Sequence, residues 1–457
     1  MIRSIPVFPS LMCLALTVAF CAPLAAQHVL FENARVVDID AASVSEPRTL
    51  VVRDGWIVEQ PPASDESVTT IDAAGHYLIP GLAEMHAHVP PGAEQAAVDD
   101  VLALFLAHGI TTIRGMLGEP GHLALRAGLA SGERTGPRLI TSGPSLNGNS
   151  VPDVERAREL VRRQAEAGYD FLKLHPGLLP DTFAAIVEAA DGLDIGFAGH
   201  VSIAVGVERA LAAGQATIDH LDGYAQVLVP EGDPARQREP GFFGFNIASA
   251  MDPDRVDEWA RRTAEAGVWN VPTQTLIENL AVNDIESLLE RPAMRYVTEE
   301  TRAQWVARVE QMRASAEPDI LENFVAVRRA LIKALHDSGA GVLLGADAPQ
   351  IMNVPGDALH HELEIYVEAG LSPAEALATG TVNVAEFLDQ PALGCLRPGC
   401  VADLVLLDAN PLEDISNVRR VRGVMRAGQW FDRDRLDAML ADVAERANPD
   451  GSTDPAD

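Results

Sequence analysis

The rhythm of apolar and polar positions along this 457-residue chain changes twice. From Val29 to about Ile79, apolar residues come in short β-type runs separated by turns. Examples are Ala34-Arg-Val-Val-Asp38, Thr49-Leu-Val-Val-Arg53 and, after Asp54-Gly55, Trp56-Ile-Val58. Runs of this length and residue type predict a hairpin-rich sheet. A matching pattern returns in Ala402-Asp-Leu-Val-Leu-Leu-Asp408 and Val421-Arg-Gly-Val-Met-Arg-Ala-Gly-Gln429. The two flanks, residues 27–80 and 392–435, are expected to pair into one small β-sandwich domain formed from both chain ends. Residues 436–457 read as a C-terminal helix and a loose polar tail.

Between the flanks, apolar runs alternate with helical stretches such as Glu155–Ala167, Val207–Ala213 and Leu321–Ser338. The strand candidates are Gly81–Val89, Ile110–Met116, Pro137–Ser142, Asp170–His175, Asp194–Val201, Ala216–Leu221, Val268–Gln274 and Gly341–Ala348. Strands separated by helices imply an α/β fold, and this set implies a parallel (β/α)8 TIM-like barrel over residues 81–391. In such a barrel, functional side chains gather at the C-terminal ends of the strands.

The first 26 residues carry Arg3, an apolar stretch from Leu11 to Cys21 and a small-residue end at Ala25-Ala26. That is the pattern of a signal peptide, too short to span a bilayer stably, so a secreted or periplasmic protein with no stable membrane insertion after cleavage is expected. Phe20 before Cys21 fits a lipoprotein signal poorly. Cleavage near Ala26 would leave Cys395 and Cys400 close to a Pro-Gly turn, either as a local disulfide or as two free thiols. Alone they are half a zinc ligand set.

The formal charge of −31 would repel phosphate backbones and anionic lipid, which excludes a nucleic-acid-binding role. Of the 35 basic residues only Lys173 and Lys333 are lysine; the rest are arginine. A lysine retained in such a chain points to chemistry that arginine cannot perform.

Placing the titratable residues on the candidate strands produces a pattern. The first strand ends in Glu84-Met-His86-Ala-His88, the fourth is Phe171-Leu-Lys173-Leu-His175, the fifth ends in Gly199-His200, the sixth in Ile218-Asp-His220 and the eighth in Gly345-Ala-Asp347. Side chains alternate along a strand, so His86 and His88 face one side and can reach one cation. His200 and His220 make a second pair at the same height. Lys173 lies in an apolar strand, where burial would favour the neutral amine. A neutral amine can take up carbon dioxide to give an anionic carbamate that bridges two cations; a satisfied salt bridge is the plainer alternative.

These motifs resemble those of the amidohydrolase superfamily along nearly the whole chain after residue 26. Pro80-Gly-Leu-Ala-Glu-Met-His-Ala-His88 is similar to its first-strand signature, and Leu393-Gly through Pro398-Gly-Cys-Val-Ala-Asp-Leu-Val-Leu-Leu-Asp408 to its C-terminal one. Gly370–Leu377 and Thr381–Ala385 resemble the helical region between them. The ligand set resembles the binuclear carboxylated-lysine class, in its prolidase- and imidazolonepropionase-like dipeptidase branch, which includes ochratoxin-hydrolysing amidases. The resemblance implies two divalent metal ions, zinc by ligand type. One would sit on His86, His88 and Asp347, the other on His200 and His220, with Lys173, as a CO2-derived carbamate, bridging both.

The expected activity is hydrolysis of an amide C–N bond in a small substrate, a dipeptide or N-acyl amino acid, by a metal-bridging hydroxide. Asp347 would move the proton, and Tyr224, four residues after His220, is the candidate donor to the developing oxyanion. His175 would bind a substrate carboxylate or position Lys173, and Glu84 would support the ligands. His360 and His361 fall on a helix after the eighth strand. Val229–Ala250, with Phe242-Phe-Gly-Phe245, reads as a lid or pocket wall, or as a contact in a homo-oligomer. The third strand leads into Thr141–Asn149 without the His-Gly pair common in the dipeptidase relatives. A lactone or ester hydrolase on the same metals is an alternative. So is a mononuclear deaminase, although His200 is followed by Val201-Ser-Ile203 rather than completing a His-x-x-Glu motif.

Overall fold

The computed structural model describes residues 28–61, 67–281, 284–314 and 318–449. The expected export segment and the end of the tail lie outside them. The N-terminal flank forms β1 (His28–Asp38), β2 (Ser43–Val44), β3 (Arg48–Arg53), β4 (Trp56–Val58), β5 (Val68–Asp72) and β6 (Tyr77–Pro80). The seam of this flank is β1. Its first half pairs with β3 and β5 and its second half with β2 and β6, so one strand serves both halves of the sheet.

The chain then enters the alternating region with β7 (Leu82–Ala87), β8 (Ile110–Gly115), β9 (Arg138–Thr141), β10 (Leu172–Leu174), β11 (Phe197–Gly199), β12 (Thr217–Asp219) and β13 (Trp269–Val271). The strands β7, β8 and β9 make one parallel sheet, and β10 to β13 another. Parallel bridges at Ser142–Phe171 and Leu146–Leu174 join the two sheets. Those at Asn270–Val342 and Ala87–Ala348 carry the pairing back towards β7, so the strands curl about one interior. Its floor is apolar, built from Met85, Val271, Leu343, Met116, Phe171 and Ala198. Helices such as Val154–Ala167, Val207–Ala212 and Pro318–Asp337 occupy the stretches expected of them.

The eighth candidate, Gly341–Ala348, departs from expectation and forms isolated bridges rather than a regular strand. Leu343 N–H still pairs with Asn270 O at 2.9 Å, but the donors after it are used elsewhere. Leu344 N–H goes to Thr379 O, and Ala346 N–H goes to the carboxylate of Glu84 at 2.9 Å. The same Glu84 oxygen accepts from His86 N–H at 2.9 Å, so a buried side chain takes the place of a strand ladder there. Gly345 is needed at this point, because an added Cβ would meet Val271 Cγ1 at 2.5 Å.

The C-terminal flank returns as β14 (Leu404–Leu407), β15 (Val421–Arg426) and β16 (Gln429–Asp432). Every residue of β14 is buried, as an unbroken Leu-Val-Leu-Leu run requires of an interior strand. It pairs with β6 on one side and β15 on the other, which brings both chain ends into one nine-stranded sheet. Val421–Gln429 is split into a hairpin by Ala427 and Gly428, both at positive φ, as a two-residue turn demands. Phe31, Leu78, Leu404 and Met425 form the core of this sheet, and the Cys395–Cys400 disulfide is buried beside them. The helix Arg433–Ala447 ends the described chain. Among the described residues, no helix is long and apolar enough to cross a membrane.

Glu84 satisfies two buried backbone donors at once. Glu84→Leu is therefore expected to lower the unfolding free energy of the metal-free protein by about 2–4 kcal/mol in urea denaturation. An unchanged midpoint and slope would show that the irregular segment does not depend on this carboxylate.

Candidate metal centre

The strand ends place the expected ligands together. His86 lies in β7 and His88 just beyond it, Lys173 is central in β10, His200 follows β11, His220 follows β12, and Asp347 ends the irregular segment. His88 Nε2 is 2.7 Å from Asp347 Oδ1, and His86 Nε2 is 3.7 Å from the same oxygen. His220 Nδ1 is 3.8 Å from Asp347 Oδ2. The ring of His220 stands 4.5 Å from that of His86 and 4.4 Å from that of His200. Lys173 Nζ, fully buried, is 3.5 Å from His86 Nε2.

These residues fit a divalent cation. Donor atoms of His86, His220 and Asp347 lie within 4.8 Å of one another, and all three residues are buried. Asp347 Oδ1 is buried and faces the His88 and His86 ring nitrogens, neither aligned as a hydrogen bond to it. Burial also holds His86 and His220 well below the usual imidazole range, so their rings present lone pairs rather than a second proton. Buried lone pairs facing one another without protons between them are unfavourable until a cation shares them.

The backbone is strained at two of these positions. His220 has φ +61° and Asp347 φ +62°, the left-handed region that costs a non-glycine residue about 1–3 kcal/mol. Arg328, from the helix Pro318–Asp337, offsets this by clamping the turn. It donates to His220 O at 2.8 Å, Pro272 O at 3.0 Å and Gln274 Oε1 at 2.8 Å. Thr273 Oγ1 lies 2.8 Å from His220 Nδ1, and Asp222 Oδ2 lies 2.7 Å from His200 Nδ1, leaving each ring its Nε2 for a ligand.

Beneath the cluster lies Asp219, fully buried. Its Oδ2 is 3.1 Å from His86 Nδ1 and 3.4 Å from Lys173 Nζ, and its Oδ1 accepts from Thr217 Oγ1 at 2.7 Å. Arg114, equally buried, reaches Asp219 Oδ1 at 3.5 Å and donates to Met85 O at 2.7 Å. Burial lowers the Lys173 pKa below the ordinary amine value, with Asp219 opposing that shift. None of Arg114, Asp219, Asp222 and Arg328 was singled out from the sequence. Arg114 carried a signal, a charge within the apolar run Ile110–Met116; Arg328 carried none.

Two expectations resolve differently. Tyr224 is not brought to the cluster: its buried hydroxyl bonds Thr263 Oγ1 at 2.7 Å and donates to Asn270 Oδ1 at 3.1 Å. Asn270 is paired with Ile218, on the face of the strands opposite Thr217 and Asp219, so this tyrosine packs among the outer helices. His175 does reach the rim, its ring 4.9 Å from that of His200, and Ser145 Oγ rather than Lys173 holds its Nδ1 at 2.8 Å. His360 and His361 lie on the helix Asp357–Glu368, as expected, where His360 bonds His108 O and His361 bonds Glu364, away from the cluster. The Phe-rich segment does border the cluster, with Phe243 5.1 Å from the His220 ring.

The amidohydrolase-family profile matches residues 77–431, and the chain belongs to that family. Its members generally bind divalent metals, which the cluster described here suits. Among solved structures it is similar to bottromycin amidohydrolase, at 23% identity and a TM-score of 0.71, over 92% of this chain and 90% of that one. It is also similar to a Xaa-Pro dipeptidase with methionine bound in its active site, at 19% identity and a TM-score of 0.62, over 89% of this chain and 100% of that one. At such identities the likeness is one of fold. A curated relative, adenine deaminase of Nitratidesulfovibrio vulgaris (strain DP4), is 24% identical over 436 residues and 92% of this chain. The chain spans about 60% of that relative's length.

Asp222 orients His200 without belonging to the cluster. Asp222→Ala is expected to weaken Zn2+ affinity about 10–100-fold in chelator-competition titrations of the metal-free protein. An affinity equal to wild type would remove Asp222 from this role.

Proposed function

We propose that the chain is a binuclear, zinc-dependent hydrolase that cleaves an amide C–N bond in a small substrate such as a dipeptide or N-acyl amino acid. The observation that carries this reading is the clustering of four histidines and Asp347 at the strand ends, with the buried Lys173 Nζ 3.5 Å from His86 Nε2. The curled parallel strands are read as the family's (β/α)8 barrel, and the nine-stranded sheet as its β-sandwich partner. His86, His88 and Asp347 would hold one ion, and His200 and His220 the other. Lys173 would bridge them after its neutral amine attacks CO2, forming an N–C bond and releasing one N–H proton. Ions bound here would supply Lewis acidity towards a carbonyl and a water of lowered pKa.

The chain's own residues then have defined tasks. Asp347, whose oxygens face His88 and His220, takes the proton of the attacking water and returns it to the leaving nitrogen. Thr273 and Asp222 hold the His220 and His200 rings, and Arg328 holds the His220 carbonyl, so that little reorganisation is needed during the reaction. His175, fixed through Nδ1 by Ser145, offers Nε2 to a substrate carboxylate at the rim. The names of the dipeptidase and amidohydrolase neighbours support C–N chemistry. The buried disulfide supports export to an oxidising compartment.

The zinc-loaded protein should hold about two ions per chain and hydrolyse members of a panel of dipeptides, N-acyl amino acids and aryl amides. Lys173→Ala should reduce metal occupancy and cut turnover about 100-fold or more, with partial recovery on adding short carboxylic acids. One ion per chain with ammonia released from adenine would overturn the reading in favour of a deaminase. Turnover confined to lactones or esters would overturn the amide assignment, and unchanged turnover in Lys173→Ala would overturn the bridge.

A further inference from the structure

A file of aromatic rings crosses the mouth of the candidate centre. Centroid separations run 4.9 Å from His175 to His200, 4.4 Å from His200 to His220, 5.1 Å from His220 to Phe243 and 3.9 Å from Phe243 to Phe242. Its two ends differ in chemistry. At the first, Ser145 Oγ lies 2.8 Å from His175 Nδ1, and Asn147 Nδ2 donates to that hydroxyl at 3.0 Å, so this end is polar. At the other, Phe242 is 38% exposed, and the Arg308 guanidinium lies 5.7 Å from its ring.

The apolar end is a fixed wall rather than a hinged flap. Phe243 has φ +51° and is followed by Gly244 at φ +95°, where an added Cβ would meet Ala225 Cβ at 2.3 Å. The chain is pressed against the neighbouring helix at that point. The next residue, Phe245, packs on Phe324 at 4.6 Å, and both are buried. Ile247 and Ala248 are buried in turn. A strained turn leading into an anchored stretch therefore delivers the Phe243 ring against the ring of His220 and leaves Phe242 open beside it.

Building on the amide-hydrolase reading, we propose that Phe243 and Phe242 form the subsite that selects the substrate's side chain. The preferred class is amides carrying a planar apolar group, above all an aromatic ring, next to the scissile bond. A planar group laid against this wall gains ring–ring contact in the offset or tilted geometry that aromatic pairs favour, while a methyl group leaves the surface wet.

The test compares kcat/KM for matched pairs of dipeptides and N-acetyl amino acids that differ only in phenylalanine against alanine. Wild type should prefer the aromatic member about 10-fold or more. Phe243→Leu, which keeps apolar bulk but no planar face, should lose most of that ratio, chiefly through KM, whereas Phe243→Tyr should retain it. Calorimetric binding of free phenylalanine against free alanine to the zinc-loaded proteins should show the same ratios without relying on turnover. Equal treatment of both members by wild type, or an unchanged ratio in Phe243→Leu, would overturn the subsite. Cleavage of neither class would overturn the hydrolase reading instead, and the binding ratios would then decide the subsite alone.

Discussion

A lysine with no exposure at the centre of a strand sets the terms for everything around it. An ammonium in that position has to be matched by an anion or discharged. The anion within reach, Asp219, is also shared by Arg114 and faces His86, so two cationic groups compete for one carboxylate. Charge balance in this interior is better served if Lys173 is neutral or carries negative charge, because Asp219 can then be matched by Arg114 alone. The proposed carbamate has that sign, and it would turn an electrostatic liability beneath the cluster into an additional donor. Arginine at 173 would leave the competition unresolved, since a guanidinium does not discharge at accessible pH.

The same requirement explains why the fold is irregular where its pattern predicts regularity. Asp347 must point back over the strand ends, and its φ of +62° is incompatible with a continuing strand. The segment before it therefore gives up ladder hydrogen bonds, and Glu84 supplies a replacement acceptor to Ala346. At His220 the chain makes a comparable departure, with Arg328 holding the carbonyls on either side of the gap between the sixth and seventh strands. Strain and compensation come paired at both positions, which is the arrangement expected where geometry matters more than local stability.

Much of this was legible in the sequence because it rests on short-range periodicity. The alternation that aligned His86 with His88, the apolar runs that became β7 to β13, and the rarity of lysine are all local features. What the sequence hid depended on distant packing. Arg328 reads as one more charged residue on an amphipathic helix until the fold lays that helix across the strand ends. Asp219 was passed over as a neighbour of His220, although alternation puts it on the interior face with Thr217. Tyr224 was misplaced for a specific reason. His220, Leu221 and Gly223 all have positive φ, so the chain turns outward after His220 and starts its next helix on the far side of the strands. A four-residue offset says little about direction across such a turn.

On the proposed reading, chemistry and selectivity reside in different parts of the molecule. The groups suited to a metal lie on strands or at their ends. The polar and aromatic walls come from the connections after the third and sixth strands, Ser145 and Asn147 on one and Phe242 and Phe243 on the other. Connections tolerate change that strands do not. This is why family membership, which rests on the strands and flanking sheet, speaks to the reaction and leaves the substrate to be argued from these loops. The stretch after the third strand lacks the His-Gly pair, and on the proposed reading the serine-held His175 after the fourth strand serves the rim instead. The contacts around His175 and Phe243 are therefore the part of the site from which substrate choice is best inferred.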